Sequence, residues 1–275
     1  MQYELKNRAL LRISGNDAEE FLQKQLSNDI SCLEGSNIQF NAYCQHQGKI
    51  ITLFWVMRSD RNFLLSFPID LLEKVIARLK MFVVISDVKI EDISDQFLQI
   101  GLINENYANA YKINKNLSLI IESDRQKNDE ITSRQDEWKK ACIDNQIPEV
   151  FLSSSEKFVP QMLNLDLNEI GVSFTKGCYP GQEVVARLHY LGEAKRRLFS
   201  FTSESEMHVG DNLYCASSNA AKVRGDRYKG SGIVVNKVKY NSLFYCLATL
   251  DVDLLSDKIT LNNENGPILN KINHE

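Results

Sequence analysis

The sequence predicts an α+β protein that ends in a small β-barrel. Two observations carry the prediction. Over the first hundred residues, short apolar stretches with strand character alternate with one clear amphipathic helix, which suits a mainly antiparallel sheet layer. After Lys195 the texture changes to short apolar runs spaced by Gly, Asn and Ser, the pattern of a small barrel or sandwich.

Taken in order, "RALLRIS" (8–14) reads as a strand. "GNDAEEFLQKQLSND" offers Asn16 or Asp17 as a helix cap, acids in the first turn, and Phe21, Leu22 and Leu26 on one face. "IQFNAYCQHQGKIITLFWVM" reads as a hairpin turning near Gln47-Gly48, and "NFLLSF" as a further strand. Pro68 opens a helix whose stripe is Leu71, Leu72, Val75, Ile76 and Leu79. "VVISDVKI" and "FLQIGLI" return to strand. From Asn104 to about Asp144 the pattern turns helical, interrupted by the strand "LSLIIES" and ending at an Ile-Pro step. "FLSSSEKFVPQMLNLDLNEIGVSF" is loop-like, and a loop of that length is usually functional or disordered. "RRLFSF", "NLYCA", "GSGIVVNKVKY", "SLFYCLATLDV" and "KITL" supply the barrel strands. The expected division is 1–103, 104–192 and 193–275.

Composition sets bounds on function. The 275 residues are 43% hydrophobic and 25% charged with a net charge of −4, an ordinary globular balance that argues against a dedicated nucleic-acid binder. No apolar run approaches the ~20 residues of a membrane span. The start, "MQYELKNRALLRIS", has no signal-peptide core, so a cytoplasmic location is expected. Six cysteines (Cys32, Cys44, Cys142, Cys178, Cys215 and Cys246) include no C-x-x-C pair. They are expected to be free thiols, mostly core residues, with no metal site of their own.

One stretch carries unusual chemistry: "KGCYPGQEVVARLHY", 176–190. Gly177 and Gly181 allow a sharp turn and close approach of a ligand. Pro180 forbids strand pairing and pre-sets a helical first turn. Gln182 to His189 then makes one or two turns, with Glu183 and Arg187 at i, i+4 spacing. Cys178 sits just before that helix, beside Lys176, and both features favour a thiolate. From the residues alone, an inert cysteine in a Gly-rich turn competes with this reading, and His189 is not placed by sequence to be a base.

"KGCYPGQEVVAR" resembles the K-G-C-Y-x-G-Q-E signature of the YgfZ family, folate-binding, iron–sulfur-related relatives of the glycine-cleavage T-protein. The resemblance extends to "FVPQMLNLDLNEIGVSF", "RISGNDAEEFLQKQLSNDI" and "NAYCQHQGKI", and weakens over 104–135 and in the C-terminal third. It implies a three-part, ring-like T-protein architecture, with ferredoxin-like α/β layers and a C-terminal barrel, around a cavity for tetrahydrofolate or another folate. It also implies support of iron–sulfur enzymes, including those that methylthiolate tRNA. Carried over by position, Cys178 is the key thiol, and Lys176, Gly177, Tyr179, Gly181, Gln182, Glu183 and Arg187 form its loop. A family tryptophan implicated in folate binding falls on Trp138; another falls on Arg8, whose plane can stack on a flat ring or whose charge can meet the glutamate tail. Cys44 matches a family cysteine, and a core thiol is the better reading of it.

A pterin needs a flat apolar wall and a few fixed polar groups. Trp138 can supply the wall and Gln161, Asn164 and Asp166 the edge contacts; equally, Trp138 can be core and the others loop-satisfying groups. A one-carbon transferase is the alternative activity. However, "QHQGKIITLFWV" lacks the acid that transferases place near the reacting carbon. Lys195, Arg196, Arg197, Lys222, Arg224, Arg227 and Lys229 can contact phosphates, but a solvated barrel face is the preferred reading, and any effect on tRNA is expected to be indirect, through a client enzyme.

Overall fold

The structure is a computed structural model; it describes every residue except 85, 106, 124–130, 133–134, 193, 219–229 and 274–275. The described residues build two five-stranded sheets and a closed barrel. The expected α+β class and C-terminal barrel are both present.

The N-terminal strand β1 (Gln2–Glu4) does not join the first sheet. That sheet is made by β2 (Arg8–Ser14), β3 (Gln39–Cys44), β4 (Ile50–Ser59), β5 (Asn62–Pro68) and, after the helices, β6 (Lys89–Asp92), in the order β3-β4-β5-β2-β6. Helices α1 (Ala18–Gln25) and α2 (Leu72–Lys80) cover one face. The helical stripe read from sequence is the face that packs: Leu71, Val75 and Leu79 are buried, with Leu72 and Ile76 against the same core. Each such burial is worth about 1.5–3 kcal/mol. Along β4, Phe54 and Val56 face the helices while Trp55 and Met57 face the second sheet, so both faces are apolar. Asp17 is the N-cap residue of α1 but makes no side-chain cap bond. Its carboxylate instead accepts from Asp87 N at 2.7 Å, tying the helix start to the incoming loop.

The second sheet contains β7 (Leu98–Ile103), β8 (Tyr111–Lys112), β9 (Leu117–Glu122) and β10 (Ile131–Thr132), with β1 between β10 and β7. The helical expectation for 104–144 holds only at its end. Here α3 (Asp136–Asp144) is the one helix among the described residues, and 111–122 forms a hairpin. The misleading run owes its shape to long-range pairing, since β9 registers against β7 from Leu98↔Glu122 to Ile103↔Leu117. After α3 come short 3₁₀ turns and then α4 (Gln182–Leu191). The barrel comprises β11 (Arg196–Ser203), β12 (Asn212–Tyr214), β13 (Gly232–Tyr240), β14 (Leu243–Asp251), β15 (Ile259–Leu261) and β16 (Ile268–Lys271), closed by β11 pairing with both β14 and β16. A shared core joins the parts: Cys44, Ile50 and Leu53 from the first sheet, Leu163, Val172 and Val185 from the loop and α4, and Leu198, Val235 and Leu247 from the barrel. Among the described residues, no helix is long and apolar enough to cross a membrane.

Candidate functional site: a cysteine loop tied to a cavity wall

The K-G-C-Y-P-G-Q-E loop is held by backbone-to-backbone contact. Gly181 has φ +87°, and a Cβ there would lie 2.5 Å from Gln45 O and 2.7 Å from Gly48 Cα. Gly48 has φ +73°, and its Cβ would meet Val184 of α4. The loop therefore docks on the β3–β4 turn, which sits where the sequence puts it. Two glycines facing one another leave no room for a side chain on either. By contrast, a Cβ on Gly177 would meet nothing within 4 Å, and its φ is outside the left-handed range.

Cys178 is exposed, as is Cys32; Cys44, Cys142, Cys215 and Cys246 are buried free thiols. Burial pushes the Cys44 thiol up to about 12, as befits a core residue. Lys176, next but one to the exposed thiol, points inward. Its side chain is only 8% exposed, and Nζ donates to Leu26 O at 2.6 Å and Asn28 O at 2.8 Å. Desolvation lowers its pKa to about 8, opposed by the charge of Asp29. Tyr179 is buried with its ring 5.5 Å from that ammonium, and burial raises its pKa. The lysine is the last of a series of stitches between 26–29 and 170–176: Ser27 Oγ donates to Gly171 O at 2.6 Å, and Ser173 N donates to Ser27 O at 3.0 Å.

The stitched segments form one wall of a cavity of about 920 Å³. Asn28 and Asp29 line it, as do Ser173 and Thr175. Ile38, Phe40, Leu163 and Leu165 give it apolar surface, and Gln39, Asn145 and Asn164 give it amides. Among the described residues its charged groups are all carboxylates: Asp29, Glu34, Asp144 and Glu169. Its size falls within the ~300–1,000 Å³ range of small-molecule sites. A second cavity, about 130 Å³, is lined by Arg8, Trp138, Glu149 and Asn236, among others.

No known protein-family profile matches the chain. It is 34% identical over 214 residues to an uncharacterized protein of Haemophilus influenzae, covering 74% of this chain and 75% of that one. It is 30% identical over 234 residues to the tRNA-modifying protein YgfZ of Colwellia psychrerythraea, covering 74% and 72%. The chain belongs to the YgfZ family. The YgfZ protein of Aliivibrio fischeri is 27% identical over 281 residues, 92% of this chain and 86% of its own. The fold is that of the T-protein: the glycine cleavage system aminomethyltransferase T from Bartonella henselae superposes with a TM-score of 0.69 at 10% identity, covering 98% of this chain and 84% of that one.

Within this YgfZ-family fold the residues singled out by sequence fall into three groups. Arg8 and Trp138 come together at the smaller cavity. Arg8 lies 3.7 Å over the ring of Trp55, donates to Ser66 Oγ at 2.8 Å and Ser66 O at 3.0 Å, and forms an ion pair with Glu149. Trp138 is buried edge-on to Trp55 at 6.5 Å and packs on Gly101, where a Cβ would come within 2.6 Å of its ring. Trp55 in turn meets Phe40 edge-on at 6.0 Å, so an aromatic partition separates the two cavities.

Gln161, Asn164 and Asp166 are joints between loop and barrel. Gln161 Nε2 donates to Val185 O at 2.7 Å, while its Oε1 is buried without a partner. Asn164 pairs with the backbone of Leu198 (Nδ2 to O, 3.0 Å), and Asp166 holds Arg197 with two bonds, 2.5 and 3.0 Å. Of the three, Asn164 lines the larger cavity.

Gln182, Glu183 and Arg187 lie on α4, where Glu183 and Arg187 are exposed and form no ion pair with described residues, so the expected i, i+4 pair is absent. His189 stacks on Phe174 at 3.7 Å. Of the basic cluster, Lys222, Arg224, Arg227 and Lys229 lie outside the described residues; Arg196 and Arg197 are paired with Asp251 and Asp166. The four cavity carboxylates escaped the sequence reading. Only Asp29 left a trace, in the polar run "SNDI" just after an amphipathic helix.

Proposed function

We propose that this protein binds a reduced folate in the 920 Å³ cavity and supports, through Cys178, iron–sulfur client enzymes that modify tRNA, such as a tRNA methylthiotransferase. The observation that carries the proposal is the link between thiol and cavity: Lys176 ties the Cys178 loop to the carbonyls of Leu26 and Asn28, beside the cavity wall. The YgfZ relatives are tRNA-modifying proteins by name, which supports the same reading.

The cavity fits a pterin by its chemistry. A pterin edge presents N–H donors, and carboxylates are acceptors only, able to take two parallel bonds. Asp29 or Glu169 can receive that edge, Phe40 and Leu163 can cover the ring faces, and Asn164 can serve the remaining polar atoms. Trp138 and Arg8 act from behind, as backing for Trp55 and Phe40. A bound reduced folate would supply a carrier for a one-carbon unit. The chain's own part is to hold the ring, exclude water from it, and present Cys178 to a client at the surface. Glu183 and Arg187, exposed on the helix that follows, and Gln182 at its start frame that approach. Tyr179, buried under the loop, fixes its height.

The test is complementation. In cells lacking their own family member, the wild-type chain is expected to restore tRNA methylthiolation, and Cys178→Ala is expected not to. Full restoration by Cys178→Ala would remove the thiol from the mechanism. Calorimetry with 5-formyltetrahydrofolate tests the cavity separately, with Glu169→Gln and Asp29→Asn expected to weaken binding.

A further inference from the structure

The larger cavity has a property at odds with a whole folate. Among the described residues, its charged lining consists of four carboxylates with no lysine or arginine. A folate's glutamate portion is anionic, and each added γ-linked glutamate contributes another carboxylate. Those charges are repelled from the pocket that suits the pterin. One wall of the cavity, at Asn114, is shared with a neighbouring cleft of about 310 Å³. This cleft has the opposite character. It carries Lys112 and Lys115, both exposed and without an ion-pair partner among the described residues. Its one acid, Glu105, is engaged by the α-amino group of Met1.

The turn between cavity and cleft is well fixed. Asn114 Oδ1 accepts from Asn116 N at 2.8 Å and Leu117 N at 2.9 Å, and Asn114 Nδ2 donates to Asn145 Oδ1 at 3.1 Å across the cavity rim. The backbone of Lys112 is bonded to Ser36 O at 2.6 Å and Ile38 N at 2.8 Å. The two lysines are therefore presented from a rigid edge next to Ile38, which itself lines the cavity.

We infer that the cleft beside the β8–β9 turn is the subsite for the oligo-γ-glutamate tail of the folate, with Lys112 and Lys115 as its cations. The inference rests on the folate reading of the larger cavity. It makes the protein a reader of tail length, which the larger cavity alone cannot be.

The experiment compares 5-formyltetrahydrofolate with its triglutamate form on the full chain by calorimetry. The triglutamate is expected to bind about tenfold more tightly to the wild type, from two exposed cation–carboxylate contacts. Raising salt from about 0.05 M to about 0.5 M should erase most of that difference. In Lys112→Gln/Lys115→Gln, both surface changes, the triglutamate should lose its advantage and the two ligands should bind equally. If wild type binds both forms alike, or if the variant keeps the preference, the tail subsite is wrong and the folate reading stands. If neither form binds wild type, the folate reading fails and takes the subsite with it.

Discussion

Replacing Gly181 by alanine should break the docking of the cysteine loop, whereas the same change at Gly177 should not. At Gly181 the backbone has φ +87°, where an L-residue costs about 1–2 kcal/mol. The new Cβ would also lie 2.5 Å from Gln45 O and 2.7 Å from Gly48 Cα, both backbone atoms that cannot rotate away. Relief requires the loop to lift off the β3–β4 turn, an overpacking cost of about 1–3 kcal/mol more. Together the loss is about 2–5 kcal/mol, or a fall in Tm of order 10 °C for a chain of this size. At Gly177 the added Cβ meets nothing within 4 Å, so a change below about 1 kcal/mol is expected. Thermal and urea melts followed by tryptophan emission measure both. In a Cys32→Ser background, labelling of Cys178 by a thiol reagent reports the loop itself: a changed rate in Gly181→Ala, and an unchanged one in Gly177→Ala. Equal destabilisation by the two substitutions would refute the docking argument.

Other expectations follow from the same contacts. Because Lys176 has its pKa lowered from 10.5 to about 8, the folded chain releases a proton that the unfolded chain still holds between those values. Stability should therefore rise with pH across that window by up to about 3 kcal/mol and be flat above it; Lys176→Met should lose the rise, and an identical pH profile in the variant would count against the buried ammonium. For Arg8 and Glu149, a double-mutant cycle with Arg8→Met and Glu149→Gln should show coupling of more than about 1 kcal/mol, and a value near zero would mean the pair contributes only packing. If folate sits against Phe40, its quenching of tryptophan emission should run through Trp55 and survive in Trp138→Phe; loss of the quench in that variant would move the ligand to the smaller cavity.

The sequence made the local features legible and hid the distant ones. The turn at Gly48, the stripe of α2 and the helix after Cys178 are set by residues within a few positions of one another, so pattern reveals them. Arg8 meets Glu149 across 141 residues, and Lys176 meets Leu26 across 150, separations at which spacing carries no signal. The direction of Lys176 shows the difference well. Its neighbours in sequence suggest a cation for the thiol, yet two carbonyls delivered by the end of α1 capture it. The cavity carboxylates come from segments near 29, 34, 144 and 169, brought together only by the packing of separate sheets and loops.

The placement of β1 has a consequence for how the chain comes apart. Gln2 registers with Leu102 and Glu4 with Ile100, and Leu5 N donates to Gln99 O at 2.8 Å. Residues 2–5 thus pair with a strand that lies about a hundred residues further along the chain. A protease cut in the short link between β6 and β7 would not separate two modules, because the N-terminal fragment would remain threaded through the other's sheet.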